Sequence, residues 1–480
     1  MSDLVVASRS RAVQGPMALP WLVSGSVYVL LLLLGAQLLN DPDTYSHVAI
    51  GRWILVRGAV PATDVFSFSA YGARWVSFEW LSQVVYGIAF DLFGWAGVAA
   101  LAAASIALAL GLLSHYLLRE LPAKPTILIV AAAFAMLAPH LLARPHVLAL
   151  PIMVAWAGAL VRSMDRRGPP PYWALPLLLV WANLHGSVVL ALGLIGPAIL
   201  EALLAEDRKN WSRVALTWLP FAAVAFAVTC LTPYGIEPLI MPLTTLGIGD
   251  ALKWISEWRP QDFGNFGVFE AVLLGGMFLL SRGGTLPVVR ALVVLGLVHF
   301  ALAQVRNTDL LAVLAPLYLA APVARQLAAS AANKSLALSR GSAAVVLAAV
   351  VAATAVQLAR DVSPASNITP AAAVAGAGIA NAGPVLNDYA FGGYLISAGI
   401  PTFIDGRGEV FGGKFIDRYN RGLALVDIDD FLKLLDDYKI RSTLLTPSTP
   451  AVRFLDRLPG WERVYADNIA VVHKRRQAAN

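Results

Sequence analysis

The feature that most constrains this chain is a succession of long apolar runs. The first, Leu19–Leu39, is about 20 residues long, which is the length of a helix that crosses a bilayer. Because only 14% of the residues are charged and 58% are hydrophobic, soluble enzymes, disordered chains and nucleic-acid binders are excluded. We therefore predict a polytopic α-helical membrane protein with about 11 transmembrane helices plus interfacial or re-entrant helices. The further runs lie near 79–93, 95–117, 125–139, 146–161, 172–184, 187–205, 213–232, 266–281, 287–304, 308–325 and 341–359.

The last quarter of the chain has a different composition. Residues 361–480 contain 13 Lys/Arg and 13 Asp/Glu, out of 36 and 30 in the whole chain, and no apolar run long enough to span a bilayer. We divide the chain into a transmembrane domain, 1–360, and a soluble α/β domain, 361–480. Short strands near 384–387, 402–404 and 441–445 alternate with helical stretches, which favours a small, mostly parallel sheet, and 461–473 reads as a closing hairpin.

The basic residues predict an orientation, because cytoplasmic loops of membrane proteins carry surplus Lys and Arg. With the basic clusters inside, the N-terminus is cytoplasmic and the C-terminal domain is extracytoplasmic. The outer segments are then 40–78, 140–146, 184–187, 233–265 and 304–309. Three apolar runs separate loop 40–78 from Arg144, although both are expected outside, so one run must not cross; we predict that this is 125–139. The basic clusters are Arg9 and Arg11; Arg162, Arg166 and Arg167; Arg208, Lys209 and Arg213; Arg282 and Arg290; and Arg325, Lys334 and Arg340.

The sharpest signal lies in the first outer loop, where the chain reads Asn40-Asp41-Pro42-Asp43. Two carboxylates stand two residues apart at the membrane boundary. The next stretch, 44–57, is amphipathic and is predicted to lie in the plane of the interface. A solvated loop with an aspartate helix cap gives the same pattern. A general base that acts on an acceptor hydroxyl also needs a carboxylate in this place, so Asp41 and Asp43 are candidate catalytic residues.

Other polar side chains gather at the outer ends of the runs. A charged arginine is energetically unfavourable in an apolar environment, so we expect the planar guanidinium of Arg144 either to bind a phosphate or to pair with Asp41 or Asp43. Arg306 is a second candidate phosphate ligand, with Asp309 as its alternative partner. His185 reads equally as a capped turn, and Trp258 as an interfacial anchor. The candidate substrate-binding residues of this region are His47, Arg144, His146, His185, Glu257, Trp258 and Arg306.

In the C-terminal domain, Asp388 follows one predicted strand and Asp405-Gly406-Arg407 follows another. Ligands of open α/β sheets bind at such strand ends, so Asp388, Asp405 and Arg407 are candidate substrate-binding residues. Turn chemistry with a stabilising Asp–Arg pair is the alternative. The single cysteine, Cys230, leaves no possibility of a disulfide framework within the chain or a cysteine metal cluster.

The first outer loop and the overall layout resemble the GT-C superfamily of integral-membrane glycosyltransferases. That family has an acidic motif just after the first transmembrane helix, then interfacial helices, and often a C-terminal outer domain. The resemblance covers roughly residues 20–330 and is specific around 40–80. A bacterial subset of glycosyltransferase-like membrane proteins is similar at Asp41-Pro42-Asp43, Gly51, Gly58, Pro61, Asp64, Trp75, Trp80-Leu81, Asn387-Asp388, Gly392-Gly393-Tyr394 and Asp405-Gly406-Arg407.

The resemblance implies a reaction class. A sugar on a polyprenyl phosphate is presented from the bilayer of a bacterial inner membrane and is transferred, with inversion, to an extracytoplasmic glycan, lipid or protein. Asp41 or Asp43 is then the base, with Asp41 favoured because it is nearer the span. A Mg²⁺ or Mn²⁺ ion held by Asp41, Asp43 and His47 is a candidate cofactor, although metal-independent members are common. The alternatives are a transporter or flippase of a lipid-linked or polyanionic substrate, and a non-catalytic scaffold in surface-polysaccharide assembly.

Overall fold

The computed structural model describes residues 18–247, 249–254, 256–281, 284–327 and 340–476. Within these ranges, seven helices are long and apolar enough to cross a membrane, and four further apolar helices are shorter. The fold class predicted from the sequence, a polytopic helical membrane protein with a small C-terminal α/β domain, is confirmed. Of the basic residues used for the orientation, Arg9, Arg11, Arg282 and Lys334 lie outside the described residues.

The membrane part consists of helices that follow one another closely in the chain. Their bounds are α1 (Ala18–Leu34), α2 (Asp43–Arg57), α3 (Trp80–Leu117), α4 (Ala123–Leu137), α5 (Pro145–Asp165), α6 (Leu175–Leu184), α7 (Val188–Gly193), α8 (Ile195–Leu204), α9 (Trp211–Thr229), α10 (Glu237–Leu246), α11 (Val268–Ser281), α12 (Val288–Ala303), α13 (Thr308–Leu327) and α14 (Arg340–Ala359). A single large core joins most of them, and its most buried side chains come from α3 and α5. These two helices therefore form the centre of the bundle.

The crossing pattern differs from the one predicted. Runs 79–93 and 95–117 are two helical segments of α3 that meet at a kink, where Gly94 has the non-helical dihedral angles φ 60° and ψ −154°. At the far end of α3, Glu120 lies within electrostatic range of Asp165 and Arg290, whereas His140, at the end of α4, contacts Asp309 on the opposite side. Helix α4 thus extends between the two faces of the bundle. These contacts, and the length of the apolar segment Ala123–His140, contradict the prediction that 125–139 does not cross.

Helix α2 lies directly against the first half of α3. It ends at Gly58, which adopts φ 63° and donates its N–H to the Ile54 carbonyl at 2.8 Å. The contact is close because glycines face each other: a Cβ on Gly51 would collide with the Gln83 carbonyl, and one on Gly87 would lie 3.0 Å from the Arg52 nitrogen. The segment predicted to lie at the interface is therefore fixed in position by backbone packing against α3.

The C-terminal domain contains a four-stranded sheet formed by β1 (Val385–Asn387), β2 (Ser442–Leu445), β3 (Trp461–Ala466) and β4 (Val471–Arg475). The strand order in the sheet is β1-β2-β4-β3. Only β1 and β2 are parallel; β2 pairs with β4, and β4 with β3, in antiparallel fashion. The predicted closing hairpin is present, but the expectation of a mostly parallel sheet is wrong. The helices around the sheet are α15 (Ala371–Gly376), α16 (Gly392–Ser397), α17 (Gly408–Phe411), α18 (Gly413–Leu423), α19 (Ile428–Asp437) and α20 (Pro450–Leu455).

The predicted strand at 402–404 does not join this sheet. Instead Thr402 forms a parallel bridge with Ser67 of the first outer loop, in which its N–H donates to the Phe66 carbonyl at 3.1 Å and its carbonyl accepts from Phe68 at 3.0 Å. The backbone groups of Thr402 are thus satisfied by the first loop, whereas the Phe403 N–H donates to Asn387 Oδ1 and the Ile404 carbonyl accepts from Asn387 Nδ2, at 2.7 and 2.8 Å. The extended conformation was expected, but its partner is a segment more than 300 residues away in sequence.

The glycine contact between α2 and α3 can be tested by adding one methyl group. Gly51→Ala is expected to destabilise the fold by about 1–3 kcal/mol, because the Cβ would push against backbone that cannot rotate away. Thermal unfolding in detergent micelles measures the change. Gly196→Ala in α8 is the matched control, since nothing lies within 4 Å of its Cβ position. Equal unfolding midpoints for the two variants would contradict this packing.

Candidate active site

Asp41 is the anchor of the first outer loop. It is only 1% exposed. One carboxylate oxygen accepts the Asp43 N–H at 2.8 Å, which shapes the turn into α2, and the other accepts the Arg144 Nε–H. Because both oxygens are engaged, the Asp41 carboxylate is held in one orientation between the loop and the start of α5.

Arg144 lies at the centre of the site. It is the residue before α5, and its carbonyl accepts the Tyr86 hydroxyl at 3.0 Å. Its guanidinium donates to Asp41 and to Glu257, and one nitrogen lies 3.5 Å from Asp43. The pairing with Asp41 or Asp43 expected from the sequence is thus part of a wider contact with three carboxylates, while 22% of the Arg144 side chain stays exposed.

The Asp43 side chain is more exposed to solvent than that of Asp41. Its side chain is 26% exposed, and its weak contact with Arg144 leaves the carboxyl accessible. Burial raises the pKa of Asp43 to about 7, and the nearby carboxylates of Glu257, Asp405 and Glu409 act in the same direction. The Asp43 carboxyl is therefore poised to exchange a proton near neutral pH.

The C-terminal domain covers this loop directly. A Cβ on Gly393 would collide with the Pro42 carbonyl, and one on Gly406 would collide with the Asp43 carboxylate. The two glycines allow the backbone of the C-terminal domain to approach the loop more closely than any other residue would permit. The backbone of the C-terminal domain consequently lies directly against Pro42 and Asp43.

Arg407 fastens the two domains together. Its guanidinium donates to Asp64 of the first outer loop at 2.6 Å and to both oxygens of Asp405 at 2.8 and 2.7 Å. It also lies over the rings of Phe66 and Trp75, at 5.2 and 4.7 Å from their centroids. The Asp405–Arg407 pair that the sequence offered as an alternative is present, and it has a second carboxylate partner in the membrane domain.

Histidines and a second arginine form the other side of the site. His185 lies 3.3 Å from Glu79, and Asp309 contacts His140 at 2.8 Å and His146 at 3.7 Å. The Arg306 guanidinium lies 4.7 Å from the centroid of the Trp258 ring. Asp309 thus contacts two histidines rather than Arg306, while Arg306 stacks on the aromatic residue that the sequence placed beside it in the substrate-binding set.

The suggested metal ligands do not converge. Within the described residues, no group of three His, Cys, Asp or Glu side chains is placed to hold a metal ion. Both oxygens of Asp41 are engaged in hydrogen bonds, whereas the Nδ1 atom of His47 is buried without a hydrogen-bond partner. Burial lowers the pKa of His47 to about 4, so its ring is neutral at physiological pH. No step of the reaction proposed below is assigned to a metal ion.

Most of the predicted residues meet in one place, and a few do not. Asp388 lies apart: it accepts hydrogen bonds from the Ala390 N–H and the Thr446 hydroxyl at 3.0 Å each, which is turn chemistry. Sequence reasoning did not include Glu79, Glu409 or Asp309 among the site residues. The available signal was the position of Glu79, directly before a long apolar run, and of Glu409, four residues after Asp405.

Comparison with known proteins was made by sequence and by structure. No family model matches the chain, and no curated protein sequence does. The apo oligosaccharyltransferase of Archaeoglobus fulgidus is 14% identical with a TM-score of 0.57, over 89% of this chain and 69% of that one. The same enzyme, AglB, in complex with an inhibitory peptide and a dolichol-phosphate, is 13% identical with a TM-score of 0.57, over 90% and 69%.

A second enzyme matches over nearly its full length. Apo ArnT from Cupriavidus metallidurans is 15% identical with a TM-score of 0.50, over 95% of this chain and 98% of that one. AglB and ArnT are both GT-C glycosyltransferases. This chain has the GT-C fold. At these identities the likeness concerns the fold alone.

The contribution of the Arg407 ion pairs to stability can be tested by mutation. Arg407→Met removes the cation and leaves Asp64 and Asp405 buried and unpaired, so we expect a loss of about 3–5 kcal/mol. Denaturant titration followed by tryptophan fluorescence measures the loss, because Trp75 lies against Arg407. Arg475→Met is the control, since its pair with Asp436 is exposed. A similar, small effect of both changes would mean that the bridge contributes little.

Proposed function

We propose that this protein is a membrane glycosyltransferase that moves a sugar from a polyprenyl-phosphate donor to an extracytoplasmic acceptor, with inversion at the anomeric carbon. The observation that carries the proposal is Asp43: an accessible carboxyl with a pKa of about 7, between Arg144 and the backbone of the C-terminal domain. A general base works best when its pKa is near the operating pH. The GT-C fold supports the same reaction class.

Asp43, rather than Asp41, is proposed as the base. Asp41 has one oxygen on a backbone N–H and the other on Arg144, and it is buried, so it has no oxygen left for an acceptor hydroxyl. We assign it the role of positioning Arg144 and the start of α2. The preference for Asp41 in the sequence argument came from its nearness to the span, and solvent access favours its neighbour.

Arg144 and Arg306 are the proposed ligands of the donor phosphate. The Arg144 side chain is 22% exposed, and the Arg306 guanidinium lies over the Trp258 ring. Planar guanidinium groups suit phosphate oxygens, and burial strengthens the attraction. The dolichol-phosphate bound by AglB is a lipid of the proposed donor class. Trp258 offers a flat apolar face on which a sugar ring can stack.

The proposed reaction follows from this arrangement. The acceptor enters beside Gly406 and gives its hydroxyl proton to the Asp43 carboxylate. The acceptor oxygen forms a bond to the anomeric carbon while the bond between that carbon and the phosphate oxygen breaks. The polyprenyl phosphate leaves with the electron pair, and Arg144 and Arg306 hold its charge. The Asp43 carboxyl then releases its proton to solvent.

The base assignment predicts a pH dependence and a mutant phenotype. Because Asp43 acts only when it is deprotonated, kcat should rise as the pH increases through about 7. Asp43→Asn should lower kcat by at least about 10²-fold. Release of undecaprenyl phosphate from a panel of undecaprenyl-phosphate sugars, with and without envelope acceptors, measures turnover. The control is Asp388→Asn, outside the cluster; an active Asp43→Asn enzyme would refute the assignment.

The orientation is part of the proposal: the cluster faces the outside of a bacterial inner membrane, and the basic loop at 207–210 faces the cytoplasm. In a Cys230→Ser background, Tyr71→Cys should react with a membrane-impermeant maleimide in intact spheroplasts, because Tyr71 is 73% exposed in the first outer loop. Lys209→Cys, also exposed, should react only after lysis. The reverse labelling pattern would place the site on the cytoplasmic side.

A further inference from the structure

Glu79 stands out among the carboxyl groups of the site because no cation holds it. Within the described residues, neither Glu79 nor Glu409 makes an ion pair with an arginine or a lysine, and the contact of Glu79 is with a histidine. Each of the other carboxylates named in the site is in contact with Arg144, Arg407, or a pair of histidines: Asp41, Asp43, Glu257, Asp64, Asp405 and Asp309.

The histidine that contacts Glu79 has its tautomer fixed by its neighbours. The backbone N–H of Ser187 donates to Nδ1 of His185 at 3.1 Å, so Nδ1 is an acceptor and carries no proton. The Ser187 hydroxyl, which accepts from the Trp181 indole N–H at 2.9 Å, lies 2.8 Å from the same nitrogen and can direct its own proton there. The ring proton of a neutral His185 is consequently on Nε2.

The nitrogen that carries this proton lies beside Glu79. The Nε2 atom is 3.3 Å from Oε1 of Glu79, somewhat longer than a typical hydrogen bond, so a small approach of the two side chains would make Oε1 the acceptor and leave Oε2 as the site for a proton on the carboxyl group. Burial lowers the pKa of His185 to about 3, which keeps the ring neutral. Burial also raises the pKa of Glu79 to about 8, and the carboxylates of Glu409 and Asp43 add to this, while Arg306 acts against it.

On the basis of the proposed function, we propose that Glu79 acts as a neutral carboxylic acid whose Oε1 accepts the hydrogen bond from His185 and whose Oε2–H donates one to an oxygen of the donor phosphate. His185 is the positioning residue for this acid. The arrangement matters because the site already contains many carboxylates. An ionised Glu79 near Arg306 would repel a phosphate, whereas a protonated one donates to it at no electrostatic penalty.

The decisive comparison is between the amide and the alanine at this position. A glutamine side chain imitates a neutral acid, since its oxygen can accept from His185 and its NH₂ group can donate to the phosphate. At pH 7 we expect Glu79→Gln to keep the KM for the donor within about threefold and Glu79→Ala to raise it about 10²-fold. Equal impairment of both variants would overturn the proposal. His299→Gln, on an exposed side chain, is the control for a generic substitution effect.

The pH profile gives a second readout that a structural role would not move. In the wild type, the donor KM should rise above a pH of about 8, as Glu79 ionises. The Glu79→Gln variant should lack this alkaline limb, and a limb that persists in it would overturn the assignment. The charged or titratable groups that face Glu79 are Asp43 of α2, Tyr86 of α3, His185 after α6, Arg306 before α13 and Glu409 of α17.

Infrared spectroscopy separates failure of this inference from failure of the proposed function, because it needs no turnover. The difference spectrum between the wild type and Glu79→Gln at pH 7 should contain the carbonyl band of a protonated carboxyl group, and the band should disappear as the pH passes about 8. Glu237→Gln, which removes a carboxylate that is ion-paired with Arg74, should give no such band. A carboxylate band for Glu79 at pH 7 would refute the neutral acid even if the enzyme transfers sugar.

Discussion

Three separate segments converge on the guanidinium of Arg144: the turn at Asp41, the start of α2 at Asp43 and the short turn at Glu257. Each of these carboxylates is wholly or partly out of bulk water, where an unpaired charge is several kcal/mol unfavourable. The position of Arg144 at the start of α5 is itself tied to α3 by the Tyr86 hydroxyl. The shape of the outer site thus follows from the requirement to satisfy a few charges in an apolar bundle.

The small number of cations near the candidate site also divides its carboxyl groups into two kinds. Arg144 and Arg407 form ion pairs with the carboxylates that connect the segments of the fold, namely Asp41, Asp64 and Asp405. The carboxyl groups that are left without a close cation, or with a distant one, are those whose pKa is raised by burial and by mutual repulsion. The carboxyl groups of the site are thus of two kinds: those in close ion pairs with Arg144 or Arg407, and those, Asp43 and Glu79, whose pKa is raised.

The composition of the chain was enough to predict its fold class and to select residues that lie close together in the structure. In a sequence with few charges, each polar residue at the outer end of an apolar run has to be satisfied, so Asp41, Asp43, Arg144 and Arg306 could be selected without coordinates. The separate roles of Asp41 and Asp43 could not be assigned from the sequence, because the two residues differ only in solvent access and in which of their oxygens already accept hydrogen bonds. Glu79 was overlooked as a ligand because a carboxylate before a helix also reads as a helix-terminal residue.

Long-range pairing accounts for the other errors. The stretch 402–404 has the composition of a strand, and nothing local distinguishes a partner in its own domain from Ser67 in the first outer loop. The prediction about the crossings was wrong at 125–139: the boundary between two runs at Gly94 is present as a kink, but the apolar segment Ala123–His140 is long enough to cross. In both cases the local backbone was predicted correctly, and the partner was decided by packing elsewhere.

The contact between Gly406 and Asp43 carries an implication for how the two domains depend on each other. If the C-terminal domain were only a separate binding module, its surface next to the loop could carry side chains; instead two of its glycines meet the loop, and Arg407 places a carboxylate pair beside it. Removing the domain would expose Asp43 to solvent and take away Asp405 and Glu409, both of which raise its pKa. The base would then titrate at lower pH and lose its match to neutral conditions. The C-terminal domain therefore contributes to the protonation state of a residue it does not contain, and residues of both domains meet at the candidate site.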